Sequence, residues 1–127
     1  MAWTLRPRAP RDTGMWDITS LVQAPVDSGG LFIQRVDNVT FVSADNLRVN
    51  ATGTITLAGG YTLPAGVRAQ RTLPQNIMAG NGGRRRLLIS PLGALTLYYM
   101  EAGDVMHFVT PYPVSADFPT MMPGVKV

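Results

Sequence analysis

The chain has no cysteine, which excludes a disulfide framework and any thiolate metal site. Glutamate, lysine and histidine occur once each, as Glu101, Lys126 and His107. Glu and Lys normally fill exposed helix faces, so a helical fold lacks its usual material here. No apolar run approaches the roughly 18 residues of a membrane-spanning helix, and no membrane partner is expected. The opening Met-Ala-Trp-Thr-Leu-Arg-Pro-Arg contains no apolar stretch of the kind a signal peptide needs. Synthesis in a cytoplasm is the expectation.

What is present points one way. The 127 residues include 13 glycines and 10 prolines, which cut the chain into short segments rich in Val, Ile, Thr, Leu and Tyr. Such segments favour strands. The expected fold is all-β: a single antiparallel β-sandwich, jelly-roll-like, with one core of modest size. Residues 1–14 read as an extended N-terminal arm, interrupted by Pro7, Pro10 and Gly14, with Trp3 as its only large apolar anchor. Residues 15–110 read as the sandwich domain. Residues 111–127 read as an extended, proline-rich C-terminal tail.

Within the sandwich, Trp16 to Val22 suits a short strand or a helical turn capped by Asp17, and Pro25 to Gly30 reads as a loop. Leu31–Val36 and Val39–Ser43 flank Asp37-Asn38, two residues that tolerate positive φ, which predicts a tight hairpin. Leu47 to Leu57 alternates imperfectly, with Gly53 as a bulge or break. Tyr61 to Pro74 forms a corner stiffened by Pro64 and turned at Gly66. Arg85–Ser90, Ala94–Met100 and Val105–Thr110 then read as a meander, spaced by about 10 residues as in sandwiches and barrels.

The net charge of +3 comes from ten arginines set against eight acidic residues, with the single lysine. Such a balance can serve nucleic acid, but aromatic residues do not interleave with the basic cluster Arg84-Arg85-Arg86 as a stacking groove requires. Nucleic acid is therefore not an expected partner. In a strand, Arg84 and Arg86 point one way and Arg85 the other. Gly80-Asn-Gly-Gly83 lacks the Lys-Ser/Thr of a phosphate loop and reads as a hairpin tip.

Catalytic sets are thin. Ser90, His107 and Asp104 offer the residue types of a triad, but Ser90 precedes a proline and sits in no nucleophile-elbow pattern. Glu101, Asp104 and His107 offer ligands for a cation, yet the two acids occupy turn positions that are ordinarily solvated. No enzymatic activity and no cofactor or metal are expected. Tyr98 and Tyr99 point to opposite faces of a regular strand, so one is available for surface recognition of sugar or protein.

Read in order, Asp12-Thr-Gly-Met-Trp-Asp-Ile-Thr-Ser-Leu21, Leu31 to Val42, Leu63-Pro-Ala-Gly66, Arg85-Arg-Leu-Leu-Ile89 and Phe118-Pro-Thr-Met-Met-Pro-Gly124 form one pattern. It resembles the small β-sandwich modules in minor tail proteins of tailed phages, above all those infecting actinobacteria. The resemblance spans about residues 12 to 124. It implies a structural component of the virion surface, a homotrimer that packs with other virion proteins and touches the host surface. On that reading Trp3, Arg6, Arg8 and Arg11 anchor the chain to a neighbour, and Arg84 and Arg86 serve contacts between subunits. Tyr98 and Tyr99 are the candidates for contact with a host cell-surface glycan. The alternatives are a capsid decoration or head-fibre protein and a carbohydrate-binding adhesin.

Overall fold

Alternating apolar residues and Gly/Pro breaks give two antiparallel sheets packed face to face, an all-β sandwich. The computed structural model describes residues 11–57 and 61–127. The strands are β1 Trp16–Asp17, β2 Val26–Val36, β3 Val39–Val49, β4 Gly53–Thr56, β5 Leu73–Met78, β6 Arg84–Ile89, β7 Leu95–Met100, β8 Asp104–Pro113 and β9 Val125–Lys126. The larger sheet has five strands in the order β8-β3-β2-β1-β9, and the smaller has four in the order β4-β7-β6-β5. In the smaller sheet β5, β6 and β7 are joined by hairpins, and β4 lies beside β7 after a long connection. That is a Greek key.

The core is built from the inward residues of both sheets. Leu31, Ile33, Val42, Leu47 and Val49 of the larger sheet face Ile55, Leu87, Ile89, Leu97 and Met100 of the smaller one, all buried. The β2–β3 hairpin turns at Asp37, whose φ of 50° fits the tight turn expected there. Asp17 ends β1 and its Oδ1 accepts the Thr19 N–H at 2.8 Å, starting a short 3-10 turn over Thr19–Leu21. Strand and 3-10 turn therefore follow one another in a segment that the sequence allowed to be either, and the N-cap position falls on Ile18, one residue after the expected Asp17.

Several boundaries differ from the sequence reading. The segment expected as a loop up to Gly30 belongs to β2 from Val26 onward, because register shifts around Ser28 absorb its Asp, Ser and Gly residues into pairing with β3. The expected strand Leu47–Leu57 is split, with β3 ending at Val49 in one sheet and β4 starting at Gly53 in the other. The last three strands are not a meander. β8 leaves β7 and crosses to pair with β3 in the larger sheet.

The tail boundary at residue 111 falls inside β8, which continues to Pro113. β8 is an edge strand, and Pro111 and Pro113 share one side of it, so their missing N–H groups cost no ladder bond. The last residues are also in the sheet, since Val125 and Lys126 pair with Asp17 and Trp16. At the other end, residues 11–14 lie along β2, where the Thr13 N–H donates to Arg35 O at 3.0 Å. Trp3, Arg6 and Arg8 of the arm lie outside the described residues.

One cation ties these extensions to the corner. Arg35, 2% exposed, donates to the carbonyls of Asp37 (2.7 Å), Gly66 (2.7 Å), Ala116 (2.9 Å) and Asp117 (3.0 Å). Its guanidinium carbon also lies 5.2 Å from the centre of the Phe118 ring. Gly66 is required for this closure, because a Cβ there would come 2.6 Å from Pro119 Cβ. The Tyr112 hydroxyl donates to Val67 O at 2.7 Å and its burial pushes the phenol above its ordinary range. The Leu63-Pro-Ala-Gly66 corner and the Phe118-Pro119 segment are thus one packed unit.

Candidate functional site

The outer face of the smaller sheet carries the most distinctive surface. Strand alternation turns Leu87 and Ile89 inward and leaves Arg84 and Arg86 exposed on the opposite side. On β7 the partner of Arg86 is Tyr98, and on β5 it is Asn76. Arg84 pairs with Met78, which is 63% exposed. The basic cluster and the tyrosines, separate along the chain, are therefore cross-strand neighbours. The sequence reading that no aromatic residue interleaves with the arginines holds in one dimension and fails on the sheet.

Tyr98 and Tyr99 do not simply alternate. Ile55 pairs with Leu97 but Gly53 pairs with Met100, so β7 has one more residue than β4 across this interval. This bulge keeps both Leu97 and Met100 in the core and puts Tyr99 at φ 64°. The two rings end with centroids 6.1 Å apart and planes inclined by 45°. They are adjacent, not opposed. Tyr99 is 66% exposed, and a bulky residue in the left-handed region costs about 1 kcal/mol or more. The fold keeps it where glycine would be less strained, a pattern found at functional positions. Tyr99→Gly is expected to leave stability unchanged or raise it by up to about 1 kcal/mol in urea denaturation. A loss beyond about 1 kcal/mol would mean that the ring is structural.

Electrostatics set this face apart from the rest of the molecule. Residues 50–100, which contain every strand of the smaller sheet, include five arginines and no Asp or Glu, and Arg84 and Arg86 are exposed on this face. Among the described residues neither Arg84 nor Arg86 makes an ion pair. Nearby acids are engaged by the inward Arg85: its Nε donates to Asp104 Oδ2 at 2.6 Å and one terminal nitrogen donates to Oδ1 at 3.2 Å. Glu101 lies 3.8 Å from the same guanidinium. The hydrogen bond from Arg85 holds the Asp104 carboxyl below the usual carboxylate range, against the opposing effect of burial. Asp104 is thus a buried partner joining β8 to β6, where its turn position had suggested a solvated acid.

The other sheet presents a contrasting outer face. Phe32, Gln34 and Val36 of β2, Val39, Phe41 and Ser43 of β3, and Val109, Pro111 and Pro113 of β8 form paired rows without a charge. Val109 is 64% exposed, and Met15 joins Phe32, Phe41 and Val109 around an apolar cleft.

The remaining candidates separate. His107 is exposed and faces Asp45 at 3.5 Å, Asp104 is taken by Arg85, and Ser90 Oγ accepts the Ala94 N–H at 3.1 Å. The triad types are not assembled. Among the described residues no three His, Asp or Glu side chains converge as a metal site. Arg11 lies 5.9 Å from the centre of the Phe118 ring, and its backbone N–H donates to Asp37 Oδ1 at 2.9 Å. It is thus at the same end of the molecule as Arg35, remote in sequence and structure from the Arg84–Tyr98 row. Compared with known proteins, the chain matches no family model, no curated protein and no solved structure.

Proposed function

We propose that the chain is a non-enzymatic structural component of a phage virion, a β-sandwich of the tail that contacts the host surface. The observation that carries this reading is the division of labour between its two outer faces. One carries an apolar patch around Phe41 and Val109, bordered by Asp17 beside Phe32 and by the His107–Asp45 pair; the other is basic and tyrosine-bearing around Arg86 and Tyr99. An apolar patch of that kind suits packing against a second copy, since its own residues carry no like charges to oppose self-association. A face with unpaired arginines and a strained exposed tyrosine suits contact with something outside the particle.

In this arrangement the subunits associate through the larger sheet, as a trimer, and the arm bearing Trp3, Arg6 and Arg8 reaches a neighbouring virion protein. Two variants test it. Val109→Lys is expected to turn the oligomer into monomers in light scattering while the circular dichroism spectrum is unchanged. Deleting residues 1–10 is expected to abolish incorporation into particles and leave the sandwich folded. A wild-type monomer at high concentration, or normal incorporation of the truncated chain, contradicts the corresponding part.

A capsid decoration or head-fibre role uses the same two faces in another place on the particle. A free adhesin would need only the basic face. The apolar patch across β2, β3 and β8 favours the assembled reading over the free one.

A further inference from the structure

We infer that the Arg84–Arg86–Tyr98–Tyr99 face binds an anionic polysaccharide whose sugar rings carry carboxylates, a uronate-bearing glycan. The inference rests on the proposed outward placement of the smaller sheet. It adds the chemical class of the ligand.

Geometry argues first. Arg84 and Arg86 sit two residues apart on one strand face, so their Cα atoms are about 6.6–6.8 Å apart. Tyr98 is the direct cross-strand partner of Arg86, which places their Cβ atoms roughly 4.5–5.5 Å apart. A guanidinium and an aromatic ring are therefore presented as neighbours. In a uronate unit the carboxylate is attached to the ring itself, so ring and acid arrive together. The carboxylate takes the paired N–H donors of the guanidinium. The apolar C–H face of the sugar lies on the tyrosine.

Charge argues second. Strands β4 to β7 contain no acidic residue, so no side chain of their own neutralises Arg84 or Arg86. The unpaired positive potential selects an acidic polymer over a neutral one. An open sheet face, with two rings inclined at 45°, does not offer the successive parallel platforms that single-stranded nucleic acid uses. The bulge that holds Tyr99 beyond the pleat widens the aromatic surface beside the arginine row.

The test uses the purified full chain and biolayer interferometry with three immobilised probes: polygalacturonate, its fully methyl-esterified form, and a mixed-sequence single-stranded DNA. Polygalacturonate is expected to bind at least tenfold more tightly than the ester, and affinity is expected to fall as salt rises. Arg86→Gln and Tyr99→Gly, both at exposed positions, are each expected to weaken binding tenfold or more with unchanged circular dichroism. Lys126→Gln, on the far strand of the other sheet, is expected to change affinity less than twofold. Equal binding of acid and ester overturns the inference, as do tighter binding to DNA, absence of binding, or indifference to both face variants. Because the isolated protein is measured, failure here leaves the virion reading standing. Absence from particles would leave the glycan result standing.

Discussion

Asp104→Asn is expected to lower the stability of the fold by roughly 2–3 kcal/mol. Asp104 Oδ2 accepts both Arg85 Nε and the Glu101 N–H, at 2.6 and 2.8 Å, while Oδ1 accepts a second guanidinium nitrogen at 3.2 Å. An asparagine of the same shape must turn an NH2 group toward one of these donors and removes the charge opposite a nearly solvent-free guanidinium. The loss stays below the full cost of an orphaned buried charge because the exposed Glu101 carboxylate remains 3.8 Å away. Replacing both partners, as Arg85→Met with Asp104→Leu, is expected to recover part of the loss. Urea denaturation of Arg85→Met, Asp104→Leu and the double variant, beside Asp104→Asn, measures this directly. Additive losses in the double variant would show that the two residues are not coupled.

The same pair sets an acid limit. The folded-state pKa of Asp104 lies below its unfolded value, so its contribution is fully present above roughly pH 4. It is lost as pH falls from there through the depressed folded value. Wild-type stability is therefore expected to decline more steeply below pH 4 than that of Asp104→Asn. Parallel curves would contradict the assignment.

Arg35→Ala is expected to have the second large effect, about 3–4 kcal/mol, with release of the segment around Ala116 to Pro119. The guanidinium satisfies four carbonyl oxygens from three separate parts of the chain, and no carboxylate takes part. Removing it leaves the Gly66 carbonyl buried without its donor and frees Phe118 from its cation. Arg35→Lys is expected to cost about half as much, because the retained ammonium still donates to some of these carbonyls although it cannot reach the full spread that the planar fork reaches. Hydrogen exchange should show protection lost at Val114 and along the β2–β3 turn, while β6 and β7 keep theirs. Uniform loss of protection would mean that Arg35 supports the whole sandwich and not this end of it.

The sequence disclosed what local chemistry controls. Val, Ile and Leu alternation placed Leu31, Ile33, Leu87 and Ile89, and it separated Arg85 from Arg84 and Arg86. The Asp37-Asn38 hairpin was legible for the same reason, a short turn between β-branched runs. Non-local pairing was not. The crossing of β8 to β3 is decided by long-range partners, and the Glu101–Asp104 turn looks locally like any hairpin. The bulge at Tyr98–Tyr99 left no glycine to mark it, so strict alternation misplaced one ring. The burial of Asp104 was hidden because turn acids are ordinarily solvated. One signal for the basic face was available in the chain itself: residues 46–100 carry arginines and no acid. Its meaning depends on the strands from Gly53 to Met100 forming one sheet, because Arg48 at the start of the interval lies in β3 of the other.

The central claim is that this chain is built into a virion with its basic, tyrosine-bearing face outward. Immunogold electron microscopy of intact, purified particles, with antibody raised against the folded protein, tests it most directly. The expected result is label at fixed positions on the tail of nearly every particle, reduced when a bulky adduct is coupled at Arg86→Cys. Label on the capsid would move the protein to a decoration role within the same virion. Particles without label, with the protein recovered only from the soluble lysate, would contradict the claim.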